Sequence, residues 1–596
     1  MATVRERAEI PEEYTWDLES IYASDEAWEG GFEGAEATIG ELEALEGTTT
    51  ESPESLRAVL DTYEDLMRQV GMVASYARMR RDEDTSNDTY QAYTSRSQSL
   101  ASQASAAASF IEPEIQAASW STIESMIEAD ADIEIYEHYL EDIHRLKAHT
   151  RSAEVESLLA DLGEVLGTGS DVYTLLSNAD MSFPTLTDPD GEEVEITQAN
   201  FVELLKHEDR DFREAVYTGY YETWSEVRNA VTAAYRNSVK GDVKVARARN
   251  YETARQAAMN GPNIPTDVYD TLIETVRDNL DVLHHHAELK QRALDVDELQ
   301  MWDIYMPIAQ SESPDIPYDE AAEYVVEAVE PLGEDYQSQV EAGLADRWID
   351  VYETPNKRSG AYSGGTYDTQ PFILMNYQGT VSSMFTLAHE LGHSLHSELT
   401  CANQPYVYSG YEIFVAEVAS TVNEALLTEY LLDTIEDERF RRHLLNEYLE
   451  RFRSTLYRQA MFAEFEHRAH EQVENGEALT PDSLDSMYLD LKSAFYEPAI
   501  ADEHIAREWM RIPHFYRAYY VYQYCTGVAA AVAISRQILD DGESAVSRYL
   551  DFLKRGSHGY PLELLQDAGV DMSTAAPIES AVEVYGAYLD EMEQLL

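Results

Sequence analysis

Five consecutive residues, His389, Glu390, Leu391, Gly392 and His393, put two imidazoles and a carboxylate into one short stretch. On a helix, residues four apart stand one turn apart on the same side. His389 and His393 can therefore close on a single metal ion at roughly 2.0–2.1 Å. Glu390 is rotated about 100° from His389, so it does not complete that ligand set but can reach a metal-bound water as a base. The chemistry such a pattern suits is zinc-assisted hydrolysis, in which three protein ligands hold the ion and one position stays open. Downstream, Gly410 to Glu424 offers three carboxylates, Glu412, Glu417 and Glu424. Glu417 and Glu424 lie seven apart and share a helix face with Ser420, whereas Glu412 points elsewhere. Glu417 is the preferred third ligand. Glu424 suits a carboxylate that accepts a ligand imidazole N–H and so fixes its tautomer.

These residues need a helix beneath them, and the apolar pattern supplies one. Val381, Met384, Phe385, Ala388, Leu391, Leu395 and Leu399 form one stripe at helical spacing. With 16 His in the chain, the bare H-E-x-x-H string could arise by chance, and this amphipathic setting followed by an acidic helix is what favours chemistry. Other histidines read more plainly. His284, His285 and His286 are consecutive, fan out around a helix and read as a solvated face. His396 follows His393 by one turn and reads as a supporting or a packing group.

Composition narrows the class. The chain of 596 residues carries 113 Asp and Glu against 42 Lys and Arg, a formal charge of −71, and this repels nucleic acid and anionic lipid. Only 8 of the basic residues are Lys. The loss of surface lysine together with the gain of carboxylates reads as adaptation to a high-salt, halophilic cytoplasm, where counter-ions screen the surface. Cys401 and Cys525 are the only cysteines, which leaves no disulfide framework and no four-cysteine metal site. The first residues contain no apolar signal core and no uncharged apolar run of 18 follows, so a cytoplasmic location without membrane contact is expected.

Along the chain the pattern is mainly helical. Leu56, Val59, Leu60, Tyr63 and Leu66 recur at helical spacing, and the glycine-free stretch Ser97 to Phe110 continues as packed helix rather than linker. The D-P-D-G turn at Asp188 to Gly191, followed by Val194 and Ile196, predicts a β-hairpin. It marks an expected join between an amino-terminal helical region, 1–182, and a catalytic region, 183–596. Helix resumes after Asn260 to Pro265, with Thr266 or Asp267 as the expected cap. From Trp348 to Tyr377 the period changes to that of a small sheet, directly before the motif helix.

The whole order of blocks resembles the oligoendopeptidase F branch of the thimet-oligopeptidase-like zinc peptidases. The blocks are I-P-E-E-Y-T-W-D-L-E-S-I-Y from Ile10, K-R-S-G-A-Y from Lys357 and P-F-I-L-M-N-Y from Pro371. F-T-L-A-H-E-L-G-H-S-L-H-S from Phe385, F-V-A-E-V-A-S-T-V-N-E from Phe414 and P-H-F-Y-R-A-Y-Y-V-Y-Q-Y from Pro513 complete the set. The resemblance implies one Zn2+ per chain on His389, His393 and Glu417, Glu390 as general base and Glu424 in support. It also implies a two-lobed, mainly α body with a deep central channel and a small sheet beside the zinc helix. Such a body admits short unfolded oligopeptides and cuts internal bonds. The strand at Pro371 to Tyr377 would then hold substrate backbone by strand addition. His514, Tyr519 and Tyr522 match the part of the family that donates to the substrate carbonyl, the role of an oxyanion hole. Two rival readings stand beside this one. A di-iron carboxylate bundle is suggested by further Glu-x-x-His pairs at Glu141–His144 and Glu464–His467, but leaves His389 without a role. A catalytically silent peptide-binding protein would be free to lose Glu390, which is present.

Overall fold

In the computed structural model, which describes residues 4–309 and 314–596, helices dominate as the apolar periodicity requires. Five short strands interrupt them: β1 (Thr185–Thr187), β2 (Glu193–Glu195), β3 (Ile349–Asp350), β4 (Tyr362–Gly364) and β5 (Phe372–Leu374). The chain divides into two compact units. One comprises Met1–Ala148, Ser313–Thr434 and Ile534–Gly569; the other comprises His149–Glu312, Ile435–Ala533 and Val570–Leu596. Each unit is assembled from segments remote in sequence, so a single cut near residue 182 does not describe this division. Packing pairs segments regardless of their separation along the chain.

The first unit is built on helices Asp25–Glu43, Pro53–Glu83 and Asp88–Ala108, capped by the side chains of Ser24, Ser52 and Asn87. Leu56, Val59, Leu60 and Leu66 are buried as their spacing predicts, with Tyr63 partly buried against them. Leu100, Ala104 and Ala107 make the Ser97 to Phe110 stretch a packed helix for most of its length. Phe372 and Leu374 of β5 join this same core, and the Trp16 ring meets Phe372 edge-on at 6.3 Å. The sheet is thereby fastened to the amino-terminal helices.

Its strand order is β3-β5-β4, with β3 parallel and β4 antiparallel to β5. This corrects one expectation. The strand within Pro371–Tyr377 is the central one, paired on both sides, and cannot accept a further strand; β4 lies at the edge. Three buried apolar residues in a row at Phe372–Leu374 are what a central strand demands.

The second unit contains the predicted hairpin. β1 pairs antiparallel with β2, and Gly191, at φ +90°, takes the left-handed turn position. Helix Thr266–Asp278 follows the N-G-P-N-I-P break, but Pro265 occupies the cap position without a side-chain hydrogen bond, so neither Thr266 nor Asp267 caps it. The three consecutive histidines also depart from a uniformly solvated face. His286 is 1% exposed and bonds the Tyr585 hydroxyl, while His284 Nε2 contacts the Ala494 carbonyl at 2.9 Å. Helix Leu280–Ala293 is packed on more than one side, which its mixed pattern concealed.

Candidate metal centre and the groups around it

Helix Val381–Asn403 carries the H-E-L-G-H residues, with Thr380 as N-cap accepting the Ser383 N–H at 3.1 Å. Its apolar stripe is buried: Val381, Met384, Phe385, Ala388, Leu391 and Leu395 are all below 5% exposed. Helix Ile413–Thr434 lies against it. Gly392 lets the two backbones approach, because a Cβ there would stand 2.6 Å from Ser420 Cα and 2.7 Å from the Ala419 carbonyl oxygen. Asn423 ties the same junction by donating to the Ala388 carbonyl at 3.3 Å, and it accepts from the Tyr336 hydroxyl at 3.0 Å.

Across this junction three side chains converge. His389 Nε2 and His393 Nε2 are 3.1 Å apart, and Glu417 Oε2 lies 3.5 Å from the first and 3.6 Å from the second. Two ligands at 2.0–2.1 Å from a tetrahedral ion would be about 3.3 Å apart, so this triangle has the dimensions of a metal face. The donor set, two imidazoles and one carboxylate, is that of a hydrolytic zinc site. Glu412 precedes the helix and takes no part. Glu424 Oε1 meets His389 Nδ1 at 2.8 Å, which places the proton on Nδ1 and leaves Nε2 free as a donor to a metal.

Protonation follows from burial. His393 is pushed down to about 3 by desolvation and by the neighbouring His389, and is therefore neutral. Burial also opposes charge on His389, but the hydrogen bond and charge of Glu424 outweigh it, and its pKa rises. Glu390 is 7% exposed; desolvation pushes its carboxyl up to about 7, against the influence of His389 and of a hydrogen bond from the Ser363 backbone N–H. Near neutrality such a carboxyl both accepts and releases a proton. Ser363 sits on β4, so the edge strand and the base are joined directly. This contact escapes sequence reasoning because it is made by a backbone amide. Ser363 Oγ further bonds Ser394 Oγ at 2.8 Å. His396 packs: its ring stacks on Tyr411 at 3.9 Å, and burial pushes it down to about 3.

His514, Tyr519 and Tyr522 belong to the second unit. His514 is half-buried on the short helix Pro513–Tyr516, its ring parallel to that of Tyr520 with centroids 6.1 Å apart. Tyr519 is 2% exposed and held at both ends, its N–H donating to Glu466 Oε1 at 2.7 Å and its hydroxyl 3.2 Å from His467 Nδ1. Its φ of +54° is unusual for a bulky side chain, a form of backbone strain that clusters at functional sites. Tyr522 begins helix Tyr522–Asp541 and shares the Tyr269 ring with Tyr519. Of the pairs that suggested a di-iron bundle, Glu464–His467 is otherwise engaged: the Glu464 carboxylate is bound by Arg277 and Arg468, and His467 Nδ1 lies 3.2 Å from the Tyr519 hydroxyl. No helix among the described residues is long and apolar enough to cross a membrane.

Known proteins resemble this chain along nearly its whole length. Residues 203–584 match the model of peptidase family M3, and residues 114–183 match that of oligopeptidase F, the two flanking the β1–β2 hairpin region. The chain is 43% identical to oligopeptidase PepF of Bacillus subtilis over 99% of its own length and 88% of that protein. It is 40% identical to the group B oligopeptidase PepB of Streptococcus agalactiae, over 99% and 98%. The crystal structure of oligoendopeptidase-F from Enterococcus faecium superposes with a TM-score of 0.74 at 36% identity, covering 96% of this chain and 99% of that one. With more than half of the sequence inside the M3 model and near-complete overlap with named oligopeptidases, this chain belongs to peptidase family M3, in its oligopeptidase F branch.

Proposed function

We propose that the chain is a zinc-dependent endopeptidase of short oligopeptides, with His389, His393 and Glu417 holding one zinc ion and Glu390 acting as general base. The observation that carries this reading is the triangle of His389 Nε2, His393 Nε2 and Glu417 Oε2 with sides of 3.1–3.6 Å, closed at the back by Glu424. Zinc held there would act as a Lewis acid on the peptide carbonyl and make water nucleophilic near neutral pH. The protein's own groups do the rest. Glu390 takes the proton of the attacking water and delivers it to the leaving amine, a shuttle its raised affinity for protons suits. Ser363 N–H holds the Glu390 carboxylate in place through the shuttle. Glu424 keeps the His389 ring oriented. His514, Tyr519 and Tyr522 are assigned the hydrogen bonds to the substrate oxyanion that the family resemblance implies. Substrate backbone aligns on the edge of β4 rather than on β5.

The deciding measurement is cleavage of quenched peptides of graded length in molar potassium chloride, with and without chelator, alongside metal analysis of His389→Ala. Cleavage of short peptides that stops with chelator and returns with zinc is expected, together with loss of tightly held metal in the variant. Chelator-resistant cleavage, or a variant that keeps stoichiometric zinc at this centre, would overturn the assignment.

A further inference from the structure

Beside the metal triangle, within the first unit, lies a cavity of about 450 Å³ with one wall formed by His393, Ser397, Glu398 and Cys401. Its volume falls in the range of roughly 300–1,000 Å³ typical of sites that enclose small molecules or single large side chains. The facing wall is the chain leaving β4, from Ser363 to Tyr367, and the remaining lining includes Tyr406 and Tyr411. His393 and Ser363 therefore belong both to the proposed catalytic centre and to this cavity, which makes the cavity continuous with the place where a scissile bond would lie.

Glu398 is the one carboxylate among the described residues lining it, and no Lys or Arg lines it. Its own surroundings differ from those of several buried acids that carry ion pairs. Asp303 is bound by Arg210 and Arg213, Asp350 by Arg7 and Lys357, and Glu508 by Lys492 and Arg458. Glu398 is half-buried, and among the described residues it has neither an ion pair nor a hydrogen bond; burial alone acts on it, pushing its carboxyl up. The Arg68 guanidinium, which lies over the ring of the lining residue Tyr367, is engaged by Asp368 through Nε at 2.9 Å. Taking a carboxylate partly out of water without a partner costs free energy, which an incoming cation would recover. The tyrosines suit the same guest, since aromatic faces attract ammonium and guanidinium groups.

We propose that this cavity is a specificity pocket that receives a cationic group of the peptide next to the scissile bond, with Glu398 as its charge partner. The inference rests on the peptidase reading above and adds to it the substrate class: peptides with Arg or Lys adjacent to the cleaved bond. An arginine or lysine side chain and the free α-amino terminus of a short peptide share this chemistry, and the side chain is the guest the cavity's size favours.

The test is a set of N-acetylated and free-amine peptides that differ only in the residues flanking the cleaved bond, carrying Arg, Lys, citrulline, Leu or Glu on either side. Specificity constants are compared at one fixed potassium chloride concentration, since screening weakens any charge pair. At one of the two positions the wild-type protein should prefer Arg over its neutral isostere citrulline by roughly 10- to 100-fold, as a desolvated charged hydrogen bond warrants. Glu398→Gln should reduce that ratio at least about tenfold, and Glu398→Lys should turn the preference towards acidic residues. Because each ratio is taken within one preparation, partial misfolding cancels. Equal specificity constants for Arg and citrulline at both positions, or a ratio unchanged in Glu398→Gln, would overturn the pocket assignment while leaving the peptidase reading intact. A preference seen only with free-amine peptides would overturn the side-chain assignment and make the terminus the guest. Failure of the zinc-loaded wild type to cut any peptide would sink the peptidase reading and the pocket with it.

Discussion

In the proposed mechanism Glu390 must stay close enough to His389 and His393 to serve the same water and yet remain free of the metal. The helix achieves the second by its 100° step, and the β4 amide of Ser363 achieves the first. Replacing Glu390→Gln keeps size and hydrogen bonding while removing the base. The expected outcome is a fall in kcat by roughly 10²–10⁴ with zinc content and inhibitor binding retained, measured on one preparation. Near-normal kcat with full zinc would assign the base elsewhere. Glu424 is assigned a role one step further out, through His389. Glu424→Ala should weaken zinc affinity by about 10- to 100-fold, read by competition with a chelating dye, because the His389 ring loses its anchor. Unchanged affinity would reduce Glu424 to a bystander.

At the scale of elements, the approach of two helices decides whether the three proposed ligands meet. Gly392 permits it, since any Cβ would press on Ser420 and Ala419. Gly392→Ala should therefore cost about 1–3 kcal/mol by overpacking and also reduce zinc affinity, because Glu417 rides on the helix that would be displaced. Stability loss with intact zinc affinity would show that the ligands adapt. A second element-level feature is the buried anchor of helix Pro481–Phe495, where Glu508 takes Lys492 at 2.7 Å, Tyr488 at 2.7 Å and Arg458 at 2.8 Å. Burial alone would raise the Glu508 carboxyl, but Lys492, Arg458 and Arg511 hold it well below the ordinary range. A depressed carboxylate adds stability that is fully present above the unfolded value, near 4.5, and is lost as pH falls through the folded one. Glu508→Gln should destabilise by about 3–5 kcal/mol at neutral pH, and the difference from wild type should shrink below about pH 4.5. A gap that stayed constant across the acid range in denaturant titrations would contradict this anchor role.

For the molecule as a whole, the charge of −71 is the dominant quantity. Carboxylates repel one another over about 30 Å at 0.01 M salt but only about 3 Å at 1 M, so the folded state should gain stability as potassium chloride rises. Thermal unfolding followed from dilute buffer to molar salt should show a rising midpoint, and a level one would remove the high-salt reading. The same excess sharpens the contrast between surface and interior. Several buried acids take up the few available cations, as at Asp303 and Glu508, whereas the half-buried Glu398 carries none.

What could be read from residues alone was whatever depends on local spacing. The helix period placed His389 and His393 on one side, the seven-residue step matched Glu417 with Glu424, the D-P-D-G turn set the hairpin, and the ordered blocks marked the family. Packing also reversed other expectations: β5, which the resemblance made the strand that adds substrate backbone, is central, Pro265 displaces the expected cap, and His286 is buried. The path of the chain through two units, the Ser363 amide on Glu390 and the unpaired Glu398 facing a cavity were settled only in three dimensions. The physical reason is common to all of them. Periodicity reports which side of an element is apolar, whereas strand order, backbone contacts and the pairing of buried charges depend on which distant segment packs against that side.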